Sequence, residues 1–111
     1  DNMAAPRVFE FSAESREHLT EVCDQLLRLE RATGDDARHR VEQMLRAVHS
    51  IKGGAAFFGL QKIEQLAHRM ESILETAETR PTERIAEMID VLLAAADRLA
   101  AMLDDIERSN E

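Results

Sequence analysis

Residues 41–60 read VEQMLRAVHSIKGGAAFFGL, and their apolar positions decide the fold. The apolar stripe consists of Val41, Met44, Leu45, Val48, Ile51, Ala55 and Phe58. This spacing of three or four residues puts the stripe on one face of an α-helix. Asp35 or Asp36 is a suitable N-cap, and Gly59 is suited to end the helix because glycine adopts the left-handed conformation freely. The stretch therefore predicts an amphipathic helix.

The same spacing predicts three further helices. The first begins at an N-cap, Ser12, and ends near Gly34. Three apolar residues precede it and are expected to fold back onto the core: Val8, Phe9 and Phe11. The third covers residues 61–78, and the fourth starts at Pro81-Thr82, because proline is well accepted in the first turn of a helix. The fourth carries a heptad-like apolar pattern at Ile85, Ile89, Leu92, Ala96, Leu99, Leu103 and Ile106.

The composition agrees with an all-α domain. Only 4 glycines and 2 prolines occur in 111 residues, and no alternating β-branched run predicts a strand. Amphipathic stripes joined by short connections are typical of an antiparallel, up-down-up-down four-helix bundle. We expect this single domain to span residues 8–108, with residues 1–7 a flexible tail or a remnant of expression and residues 109–111 a C-terminal tail.

Several classes of function are disfavoured by the charge and the residue types. A net charge of −8 argues against binding nucleic acid. No apolar run is long enough to span a membrane, and one cysteine excludes an internal disulfide framework, so a cytoplasmic domain is the default expectation. No histidine has Glu three residues before it or a close partner of the kind zinc motifs use, so neither a metal site nor a cofactor is predicted.

His49 is the residue most suited to chemistry, because it lies about 120° from the middle of its helix's apolar stripe. An exposed imidazole is a good nucleophile near neutral pH. Lys52 and Gly53 are its neighbours on the helix surface. The Lys52 charge would partly offset that of a bound phosphoryl group, and Gly53 would leave room for a partner's active site. That access gives a reason for two adjacent glycines that each cost about 1 kcal/mol in a helix.

A carboxylate that orients the imidazole is expected on the third helix. Glu71 occupies the flank that His49 occupies on the second helix, so a hydrogen bond to one ring nitrogen would fix the tautomer and leave the other free to attack. His68 lies one turn before Glu71 on the third helix. It is expected either near the His49 imidazole or as a partly buried structural histidine. For His49, Lys52 and Glu71, the ordinary alternative is a solvated surface side chain. Phe58 is expected in the core and Phe57 packed near the helix end, with a partner-docking patch as the alternative.

Two segments together resemble a known family. Residues 49–60, HSIKGGAAFFGL, and 66–74, LAHRMESIL, are similar to the histidine phosphotransfer (Hpt) domain at the N-terminus of chemotaxis-type sensor kinases. The resemblance implies that a histidine kinase ATP-binding domain phosphorylates His49, and that the phosphoryl group then passes to an aspartate of a response-regulator receiver domain. Lys52, His68 and Glu71 would surround the ring. The isolated domain would be a monomeric carrier in two-component signalling and not an enzyme, whether or not it is part of a full kinase.

One departure and one alternative stay open. Chemotaxis-type domains usually carry a fifth helix, for which no residues remain before Glu111, so either that helix lies beyond this sequence or the domain has four helices. The alternative function is a structural or dimerisation bundle without covalent chemistry. Such a bundle predicts a large apolar patch outside the stripes, which the sequence does not show.

Overall fold

The computed structural model describes residues 4–79 and 85–109, and every long element in them is helical. The helices are α1 (Ala4–Leu29), α2 (Gly34–Phe57), α3 (Gln61–Thr79) and α4 (Ile85–Ser109). The described residues contain no strand. The predicted all-α class is confirmed, and α2 and α3 lie within three residues of their predicted bounds. The predicted start of α4 at Pro81-Thr82 lies outside the described residues.

The helices form an antiparallel bundle in which α1 packs against α2 and α4, and α3 against α2 and α4. Contacts between opposite helix ends establish the directions. Phe11, early in α1, packs on Phe58 at the end of α2 with ring centroids 5.7 Å apart, and Arg16 of α1 pairs with Asp104 late in α4. The bundle measures 51 × 19 × 19 Å, a rod with its core along the axis. This is the predicted up-down-up-down arrangement.

The core is built from the predicted stripes. Side chains with no exposed surface include Val22, Leu26, Met44, Val48, Ile51, Met70, Leu74, Leu92, Leu99 and Leu103. Because these residues recur at helical spacing, burying them fixes the rotation of each helix about its own axis. That rotation decides which flanking residues face solvent and which face a neighbouring helix. None of the described helices is both long and apolar enough to cross a membrane.

The predicted start and end of the first helix are wrong, because α1 ends at Leu29 and Gly34 is the first residue of α2. α1 begins at Ala4, so Ser12 is an interior residue and Val8, Phe9 and Phe11 are helical. Ser12 is fully buried, and its hydroxyl donates to Glu107 Oε1 at 3.0 Å. Serine can cap a helix or lie inside one, and here the contact with α4 decides between them. Pro6 does not interrupt α1 because first-turn N–H groups need no partner within the helix.

The predicted tails are only partly within the described residues. Residues 1–3, 110 and 111 lie outside them, so tails at those positions stay predictions. Residues 4–7 form the beginning of α1, and Ser109 is the last residue of α4. Helices α1 and α4 therefore extend slightly beyond the expected range of residues 8–108.

Glycine ends α2 as predicted. Gly59 has φ +70°, a conformation that side chains with a Cβ rarely adopt. Its N–H donates to the carbonyl of Ala56 at 3.2 Å, and the N–H of Leu60 donates to Ala55 at 2.8 Å. These two bonds satisfy carbonyls at the helix end. At the other end, the predicted N-caps are wrong, because Thr33 is the N-cap and Asp35 and Asp36 lie in the first turn of α2.

Candidate functional site

The candidate site lies on the solvent side of the seam between α2 and α3. Val48 and Ile51 are fully buried, so the inner face of α2 is fixed and His49 projects from its flank. The His49 side chain is 68% exposed. On α3, Met70 and Leu74 are fully buried and turn Glu71 toward the seam. The exposed position predicted for His49 from helical geometry is therefore present.

Glu71 holds the imidazole of His49. The distance between His49 Nδ1 and Glu71 Oε2 is 2.8 Å. An ionised carboxylate only accepts hydrogen bonds, so Nδ1 carries the proton and donates it. In the neutral ring the lone pair is then on Nε2, the nitrogen not held by Glu71. This contact was predicted from the matching flanks of the two helices, and the bundle brings the two residues together.

Lys52 binds the other oxygen of the same carboxylate. Its Nζ lies 2.5 Å from Glu71 Oε1, and the Glu71 side chain is only 12% exposed. Burial by itself would raise the pKa of Glu71, but the hydrogen bonds from Lys52 and His49 outweigh it and the pKa is lowered. Glu71 therefore stays ionised at neutral pH. Lys52 was predicted to offset phosphoryl charge, and in the structure its amine binds the carboxylate that orients the ring.

The two adjacent glycines have different surroundings. A methyl group on Gly53 would meet no neighbouring group within 4 Å, so the surface beside His49 is open there. A methyl group on Gly54 would lie 2.5 Å from Cδ1 and 2.6 Å from Cε1 of Phe11. The prediction explained both glycines by access to His49. In the structure, access to His49 explains Gly53 only. Gly54 instead makes room for the aromatic ring of Phe11 on α1.

His68 is not brought into contact with His49. It is exposed on α3, and its ring makes no hydrogen bond or ion pair with the residues that the structure describes. The ring borders an open depression of about 490 Å³ next to the site. The residues that line this depression are Lys52, Gln61, Glu64, Gln65 and His68. A role for His68 beside the ring stays a prediction.

Phe57 is more exposed than expected. Its ring packs edge-on against Phe58 at the helix end, as predicted, but Phe57 is 74% exposed, while Phe58 is half-buried. Phe58 packs on Phe11, and that ring contact follows from the unexpected length of α1. Two adjacent phenylalanines at a helix end give no sequence signal for which one faces inward.

Within residues 4–79 and 85–109, no cluster of three or more His, Cys, Asp or Glu side chains is placed to hold a metal ion.

Comparison with known proteins places this geometry in a family. The Hpt domain family model matches residues 8–109. Among solved structures, the phosphorylated P1 domain of CheA3 in complex with CheY6 from R. sphaeroides has a TM-score of 0.80 at 27% sequence identity. That similarity covers 93% of this chain and 80% of the P1 chain.

Curated relatives agree with this assignment. Chemotaxis protein CheA of Rhizobium meliloti (strain 1021) is 39% identical over 90 residues, which is 81% of this chain and 12% of that protein. Chemotaxis protein CheA of Bacillus subtilis (strain 168) is 32% identical, over 86% of this chain and 14% of that protein. The gliding motility regulatory protein of Myxococcus xanthus is 38% identical, over 77% and 10% respectively. The chain thus spans a small part of these relatives, and it belongs to the Hpt domain family.

Proposed function

We propose that the domain carries a phosphoryl group on Nε2 of His49, in a phosphorelay of the two-component, chemotaxis type. The observation that supports this most directly is the hydrogen bond from the ring to Glu71. It occupies Nδ1, while the ring as a whole stays 68% exposed. A nucleophile that must meet two different enzymes in turn needs this combination of fixed tautomer and open access.

Accepting the phosphoryl group is a nucleophilic substitution at phosphorus. The Nε2 lone pair forms a bond to the γ-phosphorus of ATP, the bond from that phosphorus to the β–γ bridging oxygen breaks, and its electron pair leaves with ADP. Positive charge develops on the ring as the N–P bond forms. The ionised Glu71 at 2.8 Å stabilises that charge through the Nδ1 proton. The lowered pKa of Glu71 keeps it ionised for this role.

Donation of the phosphoryl group to the receiver uses the same arrangement of residues. A receiver aspartate oxygen attacks the phosphorus, the N–P bond breaks, and its electron pair returns to Nε2. Lys52 lies one helical turn from His49, and its Nζ is held by Glu71 between the two helices. From there its charge can partly offset that of the phosphoryl oxygens during both steps. Gly53 leaves the approach beside the ring free of side chains.

The partners proposed are a histidine kinase ATP-binding domain as donor and a response-regulator receiver domain as acceptor. The related P1 domain of CheA3 was solved phosphorylated and with CheY6, which supports the acceptor. The donor is inferred from the CheA relatives, of which this chain spans about an eighth. The domain itself is a carrier and not a catalyst. We place it in the cytoplasm, where ATP is available, and expect a monomer.

Labelling with radioactive ATP tests the proposal. A chemotaxis-type kinase ATP-binding domain and [γ-³²P]ATP should label the domain, and the label should be acid-labile and alkali-stable, as an N–P bond is. His49→Gln should abolish labelling while the helical circular-dichroism signal is unchanged. His39→Gln is the matched control, because His39 is also exposed on α2 but lies well outside the site.

Any of three results would count against the assignment. Labelling that persists in His49→Gln would place the acceptor elsewhere. A folded wild-type domain that no chemotaxis-type kinase labels would favour the alternative of a purely structural or dimerisation bundle, which needs no reactive histidine. Loss of labelling in His39→Gln would mean that the effect is not specific to the site.

A further inference from the structure

Phe57 is the most exposed of the large apolar side chains in the described residues. It is 74% exposed, compared with 62% for Leu27 and 52% for Val91. A solvated phenyl ring contributes nothing to the core, and exposed aromatic side chains are enriched where proteins bind one another. The position of this ring relative to His49 is therefore informative.

Phe57 lies on the same helix as His49 and on a neighbouring part of its surface. Eight residues separate them, which puts their Cα atoms about 12 Å apart and about 80° apart around α2. The Cα–Cβ bonds of a helix tilt toward its N-terminus, so the ring leaves the backbone in the direction of His49. Gly53 lies between the two and offers no side chain there. The surface from the imidazole to the phenyl ring is thus continuous and open.

The ring is exposed but supported. Phe57 packs edge-on against Phe58, with centroids 5.0 Å apart and planes at 87°. Phe58 in turn packs on Phe11, whose ring lies against Gly54. A side chain held by packing on one side loses little rotamer freedom when a partner covers the other side. This is the character of an interface residue that contributes strongly to binding.

A receiver domain that docks over His49 also covers Phe57. Transient signalling interfaces bury less than about 1,200 Å² in total, or about 600 Å² on each protein. A circular patch of that area has a radius of about 14 Å, and a patch centred on His49 therefore includes a residue about 12 Å away. A receiver domain has to bring its aspartate to the phosphorus and so must dock on this surface.

We propose that Phe57 is the apolar anchor for the receiver domain that takes the phosphoryl group from His49, and that it helps determine which receiver binds. This inference rests on the function proposed above. The receiver is favoured as the occupant because the patch is continuous with the transfer site and because the related P1 domain is seen in complex with a response regulator. The receiver surface that meets it is expected to have an apolar recess beside the phosphoryl-accepting aspartate.

Phosphotransfer kinetics test the anchor. The probe is the receiver from the source genome that binds the unphosphorylated wild-type domain most tightly. Phe57→Ser should raise the receiver concentration that gives half-maximal transfer about tenfold, equivalent to about 1.4 kcal/mol. Labelling by the kinase domain should be unchanged, and so should the circular-dichroism signal. Leu27→Ser is the matched control, because Leu27 is similarly exposed but lies on α1 at the opposite end of the bundle, and it should alter neither step.

A binding titration separates this inference from the proposed function. Unphosphorylated domain and receiver are titrated by fluorescence anisotropy, which reads docking without chemistry and should show the same tenfold weakening for Phe57→Ser. An unchanged half-saturation and an unchanged titration would overturn the anchor even if His49 is phosphorylated. Slower kinase labelling with normal transfer would also overturn it, because the ring would then serve the donor. Weakened docking in a domain whose His49 is not labelled would support the anchor and refute only the relay.

Discussion

The two glycines after Lys52 give a matched pair of substitutions with opposite expected effects. In a helix interior, replacing glycine by alanine stabilises by about 1 kcal/mol, since alanine loses less backbone entropy on folding. Gly53→Ala places its methyl group in open space and should show this gain in full. Gly54→Ala has the same gain but places its methyl group 2.5 Å from the buried ring of Phe11.

The size of the difference follows from that clash. A carbon–carbon contact at 2.5 Å is at least about 1 Å inside the optimal separation of about 3.5–4.0 Å, so the ring must move. Phe11 is buried against Phe58, and overpacking a well-packed site costs about 1–3 kcal/mol. Because the helix-propensity gain is common to both variants, Gly54→Ala should be about 1–3 kcal/mol less stable than Gly53→Ala.

Urea unfolding followed by circular dichroism at 222 nm measures this difference directly. In thermal unfolding, 1 kcal/mol corresponds to about 4–8 °C for a domain of this size class, so the melting temperatures should separate by at least about 4 °C. Phe11→Leu provides a second test, because shortening the ring should make Gly54→Ala less harmful in the double variant than in the wild-type background. Equal stability of the two alanine variants would refute the packing explanation of Gly54.

Three further predictions concern the site. Glu71→Gln should slow kinase labelling of His49 by about tenfold, as expected for weakening a charged hydrogen bond worth about 1.5 kcal/mol, and an unchanged rate in a folded variant would show that Glu71 is a bystander. Gly53→Leu should fold normally but transfer its phosphoryl group to the receiver more slowly, and normal transfer would remove the access argument. The pKa of Glu71 is lowered in the folded state, so its ionised form stabilises the fold at pH values above the ordinary carboxyl pKa, and this contribution is lost as the pH falls through the lowered pKa. The stability difference between the wild type and Glu71→Gln should therefore shrink between about pH 6 and about pH 3, and a constant difference would exclude this linkage.

The sequence by itself determined the helices and the exposed flank of α2. Met44, Val48 and Ile51 recur at helical spacing, and an apolar stripe of this kind is stable only when it is buried in a hydrophobic core. The bundle could therefore be predicted from local spacing. The position of His49 relative to that stripe is a property of one helix and needs no neighbour. The pairing with Glu71 was also accessible, because short connections make consecutive helices antiparallel neighbours.

Tertiary packing decided what local spacing left open. Ser12 carries a good capping side chain, yet it lies inside α1 because its hydroxyl has a partner on α4. Gly54 is explained by a ring on α1, 43 residues away in the sequence, and no periodicity reports such a contact. Phe57 and Phe58 are adjacent and chemically identical, but only Phe58 contacts Phe11, and Phe57 is therefore left exposed to solvent. Helical periodicity fixes directions around a single helix, whereas the distances between helices depend on how all four stripes pack together, and those distances set the surroundings of the site.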